Sequence, residues 1–214
     1  GYYFVNMNKW HEAEQYLRGA DSRIAGIMER AGPCELMPNE DGFSSLSNSI
    51  IGQQLSNHVA NIIRNRFRKL FENDKPVPEL LLNLDDSVLR KVGLSFQKIK
   101  YLRGLAQWVK SGELDFSALL KMDDEIAIQQ LVQVKGIGRW TAEMYLMFSL
   151  NRQDLLPLGD AALEAALKRL YELPEEGWEK PAISIAEKWR PWWTVACWYL
   201  YRYHKMLKDG VAPF

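Results

Sequence analysis

The sequence contains few cysteines, no excess of basic charge and no long apolar run. Its two cysteines, Cys34 and Cys197, stand far apart, so no set of four could hold a zinc ion or an iron–sulfur cluster. Reduced thiols in a cytosolic protein are the simplest interpretation. No segment has the length and apolarity of a signal peptide or a membrane span. We therefore expect a protein of the bacterial cytoplasm, or of the nucleus in a eukaryote, without a membrane partner.

The charge balance argues mildly against a protein that binds nucleic acid through a broadly basic surface. The 27 basic residues are matched by 27 acidic ones, whereas such proteins usually carry a basic domain. Any affinity for nucleic acid must come from a local basic face, from backbone amides and from helix N-termini. Hydrophobic residues make up 47% of the 214-residue chain, which is ordinary for a globular protein with a substantial core.

Apolar residues recur at helical spacing along almost the whole chain. Residues 97–110, for example, place Ile99, Leu102 and Leu105 on one helix face. No run alternates between apolar and polar residues convincingly enough to predict a strand, and no repeat or long linker interrupts the pattern. The sequence therefore predicts a compact all-α fold.

Residues 131–160 form the most informative segment, because a Gly-x-Gly turn joins two apolar helical stretches there. Gly136 and Gly138 permit positive φ angles and a close approach of another backbone. The amides of the turn, with the N-terminus of the helix that begins at Arg139, can bind an anion such as a phosphate. We expect Ile137 to anchor the turn in the core. A tight turn between two packed helices accounts for these glycines equally well, so the spacing alone leaves both interpretations open.

An aspartate, Asp160, follows the second glycine by 22 positions and precedes the helical segment AALEAALKRLY. Its place after Pro157 and Gly159 predicts a helix N-cap. The same carboxylate, stabilised by the helix dipole, can also serve at a reaction centre, where a fixed negative charge stabilises developing positive charge. The two roles are compatible, and Asp160 is our candidate catalytic residue.

Five ordered motifs resemble the helix-hairpin-helix (HhH-GPD) superfamily of DNA glycosylases, and within it the 3-methyladenine DNA glycosylase II branch. They cover about residues 40–205 and are FSSLSNSIIGQQLS (43–56), LRKVGLSFQKIKYLRGLA (89–106), VKGIGRWTAEMYL, LPLGD and AEKWRPWWTVACWYLYRY (186–203). The resemblance implies two helical subdomains that flank a cleft for DNA and the extruded base. We expect residues 1–41 with 153–214 in one, and 42–152, with the hairpin motif at about 124–150, in the other. The β-rich amino-terminal domain of longer members is expected to be absent, since about 40 residues precede the first motif.

The resemblance also implies which residues contact DNA. Gln54, with Leu55, would fill the gap left by an extruded nucleotide, and we call residues 53–56 the wedge loop. Lys98, close to the turn at 93–95, is expected to contact the DNA backbone. The carbonyls of Val132, Val134 and Ile137 would bind a monovalent cation, Na⁺ or K⁺, that bridges to a phosphate. The hairpin residues implied to hold or adjoin that phosphate are Gly136, Ile137, Gly138, Arg139 and Thr141.

Aromatic residues of the hairpin helix and of the C-terminal segment are the candidates for the base pocket. Trp140 and Tyr201 would stack on a cationic alkylated purine. The chain departs from the family pattern at Met144, where a tyrosine is common and where Tyr145 stands next to it. It departs again at Tyr201, where we expect a tryptophan.

These features together predict a monofunctional DNA glycosylase that excises alkylated purines and leaves an abasic site. Bifunctional relatives carry a nucleophilic lysine where this chain has Trp140, which cannot form an imine. We expect damaged double-stranded DNA as the partner, a monomer, and no required cofactor or iron–sulfur cluster. Two alternatives stay open, namely a non-catalytic DNA-binding module and a glycosylase for deaminated or oxidised bases.

Overall fold

The computed structural model describes residues 9–214, and the described chain is helical, without a β-strand. The predicted all-α fold is confirmed, while the first eight residues of the predicted 1–41 segment lie outside the described part. The α-helices are α1 (His11–Ala20), α2 (Ser22–Ala31), α3 (Gly42–Gly52), α4 (Asn57–Arg68), α5 (Pro78–Asn83), α6 (Asp86–Lys91), α7 (Phe96–Lys110), α8 (Phe116–Leu119), α9 (Asp124–Leu131), α10 (Arg139–Phe148), α11 (Ala161–Tyr171), α12 (Glu179–Ala186) and α13 (Trp193–Asp209). Short 3₁₀ helices span Glu72–Asp74 and Glu187–Trp189. No helix within residues 9–214 has the length and apolarity needed to cross a bilayer.

The chain divides into two compact units. The terminal unit comprises Gly1–Met37 and Asn151–Phe214, and the central unit comprises Pro38–Leu150. The wedge loop and the hairpin therefore belong to the central unit, whereas Asp160 and the C-terminal helix belong to the terminal unit.

The core of the central unit forms around α7, which packs against α3 and α5, while α3 also packs against α4 and α10. Leu46, Phe67 and Leu102 are fully buried there, and each such side chain contributes roughly 1.5–3 kcal/mol through removal of apolar surface from water. Two helices of the central unit, α4 and α7, begin at serine caps. The Ser56 hydroxyl accepts from the Val59 amide at 3.3 Å, and the Ser95 hydroxyl accepts from the Lys98 amide at 3.2 Å.

The terminal unit is organised around a buried carboxylate, Asp21. One oxygen caps α2 by accepting from the Arg23 amide at 2.9 Å, and the other accepts from the Tyr171 hydroxyl at 2.7 Å and from the Trp189 indole at 2.8 Å. Burial opposes ionisation, but the hydrogen bonds from Tyr171 and Trp189, with the charge of Lys188, outweigh it and hold the pKa of Asp21 below its ordinary value. This network joins α2, α11 and the segment before α13, and it explains why Trp189 is a core residue.

Candidate functional site

The hairpin turn is closed by its own backbone. The Val134 amide donates to the Leu131 carbonyl at 3.1 Å, and the Ile137 amide donates to the Val134 carbonyl at 3.0 Å. Ile137 is 3% exposed, so it anchors the turn as its apolar character predicts. Gly138 is the N-cap of α10 and lies exposed at the helix N-terminus, where backbone amides lack intrahelical partners.

The two hairpin glycines are required for different reasons. Gly136 has a φ angle of +94°, and a Cβ atom placed on it would lie 2.7 Å from two ring atoms of Tyr101. The fold itself therefore excludes a side chain at residue 136. Gly138 has a φ angle of −88°, and a Cβ atom there would meet nothing within 4 Å. No contact among residues 9–214 demands a glycine at residue 138, which fits a backbone that an external group must approach closely.

Arg139 is engaged by acidic neighbours at the start of α10. Its guanidinium donates to both carboxylate oxygens of Glu125, at 2.8 and 2.9 Å, and lies 3.9 Å from Glu143. Hydrogen bonds from Arg139 and Gln129 lower the pKa of Glu125 to about 2. A phosphate that binds Arg139 must compete with this exposed ion pair. Thr141, two residues further along the helix, is 5% exposed.

The wedge loop makes a tight turn after α3. The Gln53 amide donates to the Ile50 carbonyl at 3.3 Å, and the Leu55 amide donates to the Gly52 carbonyl at 3.2 Å. Gln54 is exposed and has a φ angle of 58°, a left-handed conformation that is uncommon outside glycine. The loop therefore presents Gln54 to solvent, with Leu55 half-buried beside it.

Lys98, expected at the DNA backbone, has its ammonium group bound to the protein. Its Nζ donates to the carbonyls of Ile51 and Gln53, at 2.7 Å each. Burial, with the charge of Arg64, lowers the pKa of Lys98. The side chain is half-buried against the C-terminal end of α3, where a cation is favoured by unpaired carbonyls.

The candidate pocket residues separate by their position on the helices. Trp140 is 49% exposed and Met144 is half-buried, and four-residue spacing puts them on one face of α10. Tyr145 is 4% exposed, its ring lies 6.3 Å from that of Phe116, and burial raises its pKa to about 12. The structure thus makes Tyr145 part of the central unit's core rather than an open surface, because it lies about 100° around the helix from Met144. Tyr201 is half-buried on α13 of the terminal unit.

Asp160 caps α11, as its position in the sequence predicts. Its Oδ1 accepts from the Leu163 amide at 2.8 Å, and its own amide donates to the Pro157 carbonyl at 3.0 Å. The residue is 6% exposed. A carboxylate in this position is fixed in place by the helix and stabilised by its dipole.

The loop that carries Asp160 is pinned to the start of α13 by residues that the sequence did not single out. The Arg190 guanidinium donates from Nε to Oδ2 of Asp154 at 3.0 Å, and its Nη2 forms an ion pair with the same oxygen at 3.0 Å. The Trp193 amide donates to the other oxygen, Oδ1, of Asp154 at 3.4 Å. The Thr194 amide donates to the Gln153 carbonyl at 3.0 Å. Residues 190–194, within the quoted motif AEKWRPWWTVACWYLYRY, therefore anchor the 151–160 loop. In the sequence, this contact is signalled only by the opposite charges of Asp154 and Arg190.

The sequence profile of the HhH-GPD superfamily base excision DNA repair proteins matches residues 48–192. The chain belongs to this superfamily. It is 33% identical to DNA-3-methyladenine glycosylase 1 of Schizosaccharomyces pombe, over 94% of this chain and 90% of the relative. The structure of that yeast enzyme in complex with abasic DNA matches with a TM-score of 0.79, covering 91% of this chain and 97% of the yeast chain. A DNA-3-methyladenine glycosidase from Bacillus halodurans matches with a TM-score of 0.82 and 36% identity, over 97% and 95% of the two chains. The predicted family is thereby confirmed.

Proposed function

We propose that the protein is a monofunctional DNA glycosylase of base excision repair that removes alkylated purines, such as 3-methyladenine and 7-methylguanine, from double-stranded DNA. The observation that carries the proposal is the buried carboxylate of Asp160, fixed as a helix cap directly after a proline–glycine turn. The similarity to proteins named DNA-3-methyladenine glycosylase and glycosidase, over 90% or more of both chains, supports the choice of substrate. We propose further that the protein acts as a monomer, in the bacterial cytoplasm or the eukaryotic nucleus.

The reaction requires charge stabilisation more than acid catalysis. An N-alkylated purine is cationic, so breaking its bond to C1′ returns the electron pair to the base, which leaves neutral. The sugar becomes oxocarbenium-like, and a fixed carboxylate, Asp160, stabilises that charge. Water then adds to C1′ and gives up a proton, and the product is an abasic sugar in an intact strand. The base must leave the duplex stack before this happens.

The central unit supplies the grip on DNA and a face for the base. The exposed Gly138, at the N-terminus of α10, gives a phosphate access to backbone amides. The exposed indole of Trp140 offers a π-face to a cationic purine, with Met144 on the same helix face. Tyr201 remains the terminal unit's candidate for contact with the base.

Trp140 also supports the absence of strand cleavage. It lies two positions after Gly138, where bifunctional superfamily members carry the lysine that forms a Schiff base with the sugar. An indole nitrogen cannot form an imine. Base release should therefore leave the backbone intact until alkali cleaves the abasic site.

A monovalent cation at the hairpin is compatible with the carbonyls of the turn. The Val134 carbonyl already accepts from the Ile137 amide, but a carbonyl oxygen has a second lone pair for a ligand. Val132 follows the last residue of α9, where carbonyls lack intrahelical partners. We propose that these two carbonyls, with that of Ile137, could hold Na⁺ or K⁺ and add positive charge near a phosphate.

The test is a product analysis on duplex DNA that carries 3-methyladenine and 7-methylguanine. We expect free methylated base to appear, with strand breaks only after alkali. Strand breaks without alkali would contradict the monofunctional assignment. Tight binding without any base release, on this substrate and on a panel of deaminated and oxidised bases, would support a non-catalytic DNA-binding module instead.

A further inference from the structure

Helix α7 contacts both DNA-facing segments of the central unit. Its Lys98 holds the start of the wedge loop through two short hydrogen bonds to the carbonyls of Ile51 and Gln53. Its Tyr101 lies directly beneath Gly136 of the hairpin, close enough to exclude a Cβ atom there. The same helix thus supports the wedge loop and the hairpin turn.

Gln53 links the two segments directly. Its side-chain Nε2 donates to the carbonyl of Gly136 at 2.7 Å, across 83 residues of sequence. Its own carbonyl is one of the two that Lys98 holds. The residue is therefore fixed at its backbone by α7 and at its side chain by the hairpin.

The next residue, Gln54, is the exposed tip of the wedge loop. Its left-handed backbone (φ 58°) is unfavourable for a residue with a side chain, so the hydrogen bonds of the neighbouring residues must hold it there. Such strain is found where a loop is set in advance for a contact. The bonds made by Lys98 and Gln53 lie immediately before this position in the chain.

The ammonium of Lys98 has three N–H donors, and two of them are used on α3 and the wedge loop. At most one donor is left for a DNA phosphate. Removing this cation would expose the C-terminal carbonyls of α3 and release residue 53. The geometry therefore favours an internal role for Lys98 over a direct contact with DNA.

We propose that Lys98 and Gln53 are positioning residues that tie the wedge loop to the hairpin, so that gap filling and phosphate binding act as one rigid element. The inference rests on the proposed function for its consequence in base excision. The mechanical link itself can be tested without DNA.

The first experiment measures amide hydrogen exchange in the free protein, in wild type, Lys98→Met and Gln53→Ala. Lys100→Met is the matched control, because Lys100 is an exposed lysine on the same helix. We expect both variants to increase exchange in residues 50–56 and in residues 132–138, and the control to change neither. Exchange at the hairpin that stays at the wild-type level in both variants would overturn the link, whatever the protein does to DNA.

The second experiment separates positioning from phosphate contact. The logarithm of the binding constant falls linearly with the logarithm of the salt concentration. Loss of one phosphate contact makes this slope shallower by about 0.9 on duplex DNA. We expect Lys98→Met to keep the wild-type slope on undamaged DNA while single-turnover base release falls by roughly tenfold or more, since small misplacements cost such factors. A slope that is shallower by about 0.9, with base release falling only in proportion to binding, would show that Lys98 contacts a DNA phosphate and would refute our account.

The third experiment is a double-mutant cycle between Gln53→Ala and Gln54→Ala. If Gln53 acts through the tip of the loop, its substitution should slow base release by roughly tenfold in wild type but by less than about twofold when Gln54 is already alanine. The fluorescence of 2-aminopurine, placed beside a stable abasic-site analogue, reports whether the gap is filled. Gln53→Ala should change this fluorescence in wild type but scarcely in the protein that already carries Gln54→Ala. Independent, additive effects would refute the coupling, and a wild type that fills the gap yet releases no base would instead refute the proposed function.

Discussion

Replacing Gly136 by alanine is expected to destabilise the central unit by about 2–5 kcal/mol. The φ angle of +94° costs a residue with a side chain roughly 1–2 kcal/mol. The new methyl group would lie 2.7 Å from Cγ and Cδ2 of Tyr101 and 3.0 Å from its Cβ, and overpacking of this kind costs about 1–3 kcal/mol. These tyrosine atoms lie next to the backbone of α7, so the ring cannot swing away without moving the helix.

Gly138→Ala is the matched control, because the same change there meets open space at an ordinary φ angle. We expect its free energy of unfolding to stay within about 1 kcal/mol of wild type, since the weaker helix cap and the stiffer unfolded chain offset each other. Its affinity for DNA should nevertheless fall, because the methyl group lies where a phosphate must approach.

Urea unfolding followed by circular dichroism measures both variants. With an m-value of about 2 kcal/mol per M, the midpoint of Gly136→Ala should fall by about 1–2.5 M, and that of Gly138→Ala should scarcely move. Equal midpoints for the two variants would refute the argument that Tyr101 dictates glycine at residue 136. If Gly138→Ala binds DNA as tightly as wild type, the prediction that the hairpin binds a DNA phosphate is wrong.

Three further predictions concern charged residues. Glu125→Gln should free Arg139 and steepen the salt dependence of binding to undamaged duplex by about 0.9; an unchanged slope in a salt titration would mean that the arginine does not face DNA. Asp21→Asn should lower the free energy of unfolding at pH 7, and its difference from wild type should shrink as the pH falls below about 4. The reason is that a carboxyl with a depressed pKa stabilises the fold only while it is ionised. A difference in the free energy of unfolding that is constant between pH 7 and pH 3 in urea titrations would contradict this. Arg190→Met should release Asp154 and slow single-turnover base release while affinity for abasic DNA stays constant; a parallel loss of affinity would point to a DNA contact instead.

The helical fold and several local features could be predicted because they depend on neighbouring residues. The cap at Asp160 follows from residue type and position alone, and the structure has it. Ile137 is buried in the hairpin turn, as expected for the apolar residue between two glycines.

Contacts between segments distant in sequence could not be predicted. Lys98 is predicted at the DNA backbone because it lies close to the turn at 93–95, but in the structure its ammonium group donates to carbonyls 45 and 47 residues away. Nothing in the sequence distinguishes Gln53 from Gln54, although the Gln53 side chain donates to the carbonyl of Gly136 in the hairpin. Tyr145 resembled a pocket residue by its proximity to Met144, but a one-residue step around the helix places it in the core. The periodicity of a single sequence identifies the apolar face of a helix, but it does not identify the distant residues that pack against that face.

The most direct test of the central claim is the rate of base release by Asp160→Asn under single-turnover conditions. Asparagine keeps the cap on α11 and removes only the negative charge, so stability and affinity for abasic DNA should remain close to wild type. We predict that release of 3-methyladenine falls by about 10²–10³-fold, as expected when a main electrostatic contributor is lost. Base release at the wild-type rate by a folded, DNA-binding Asp160→Asn protein would contradict the account.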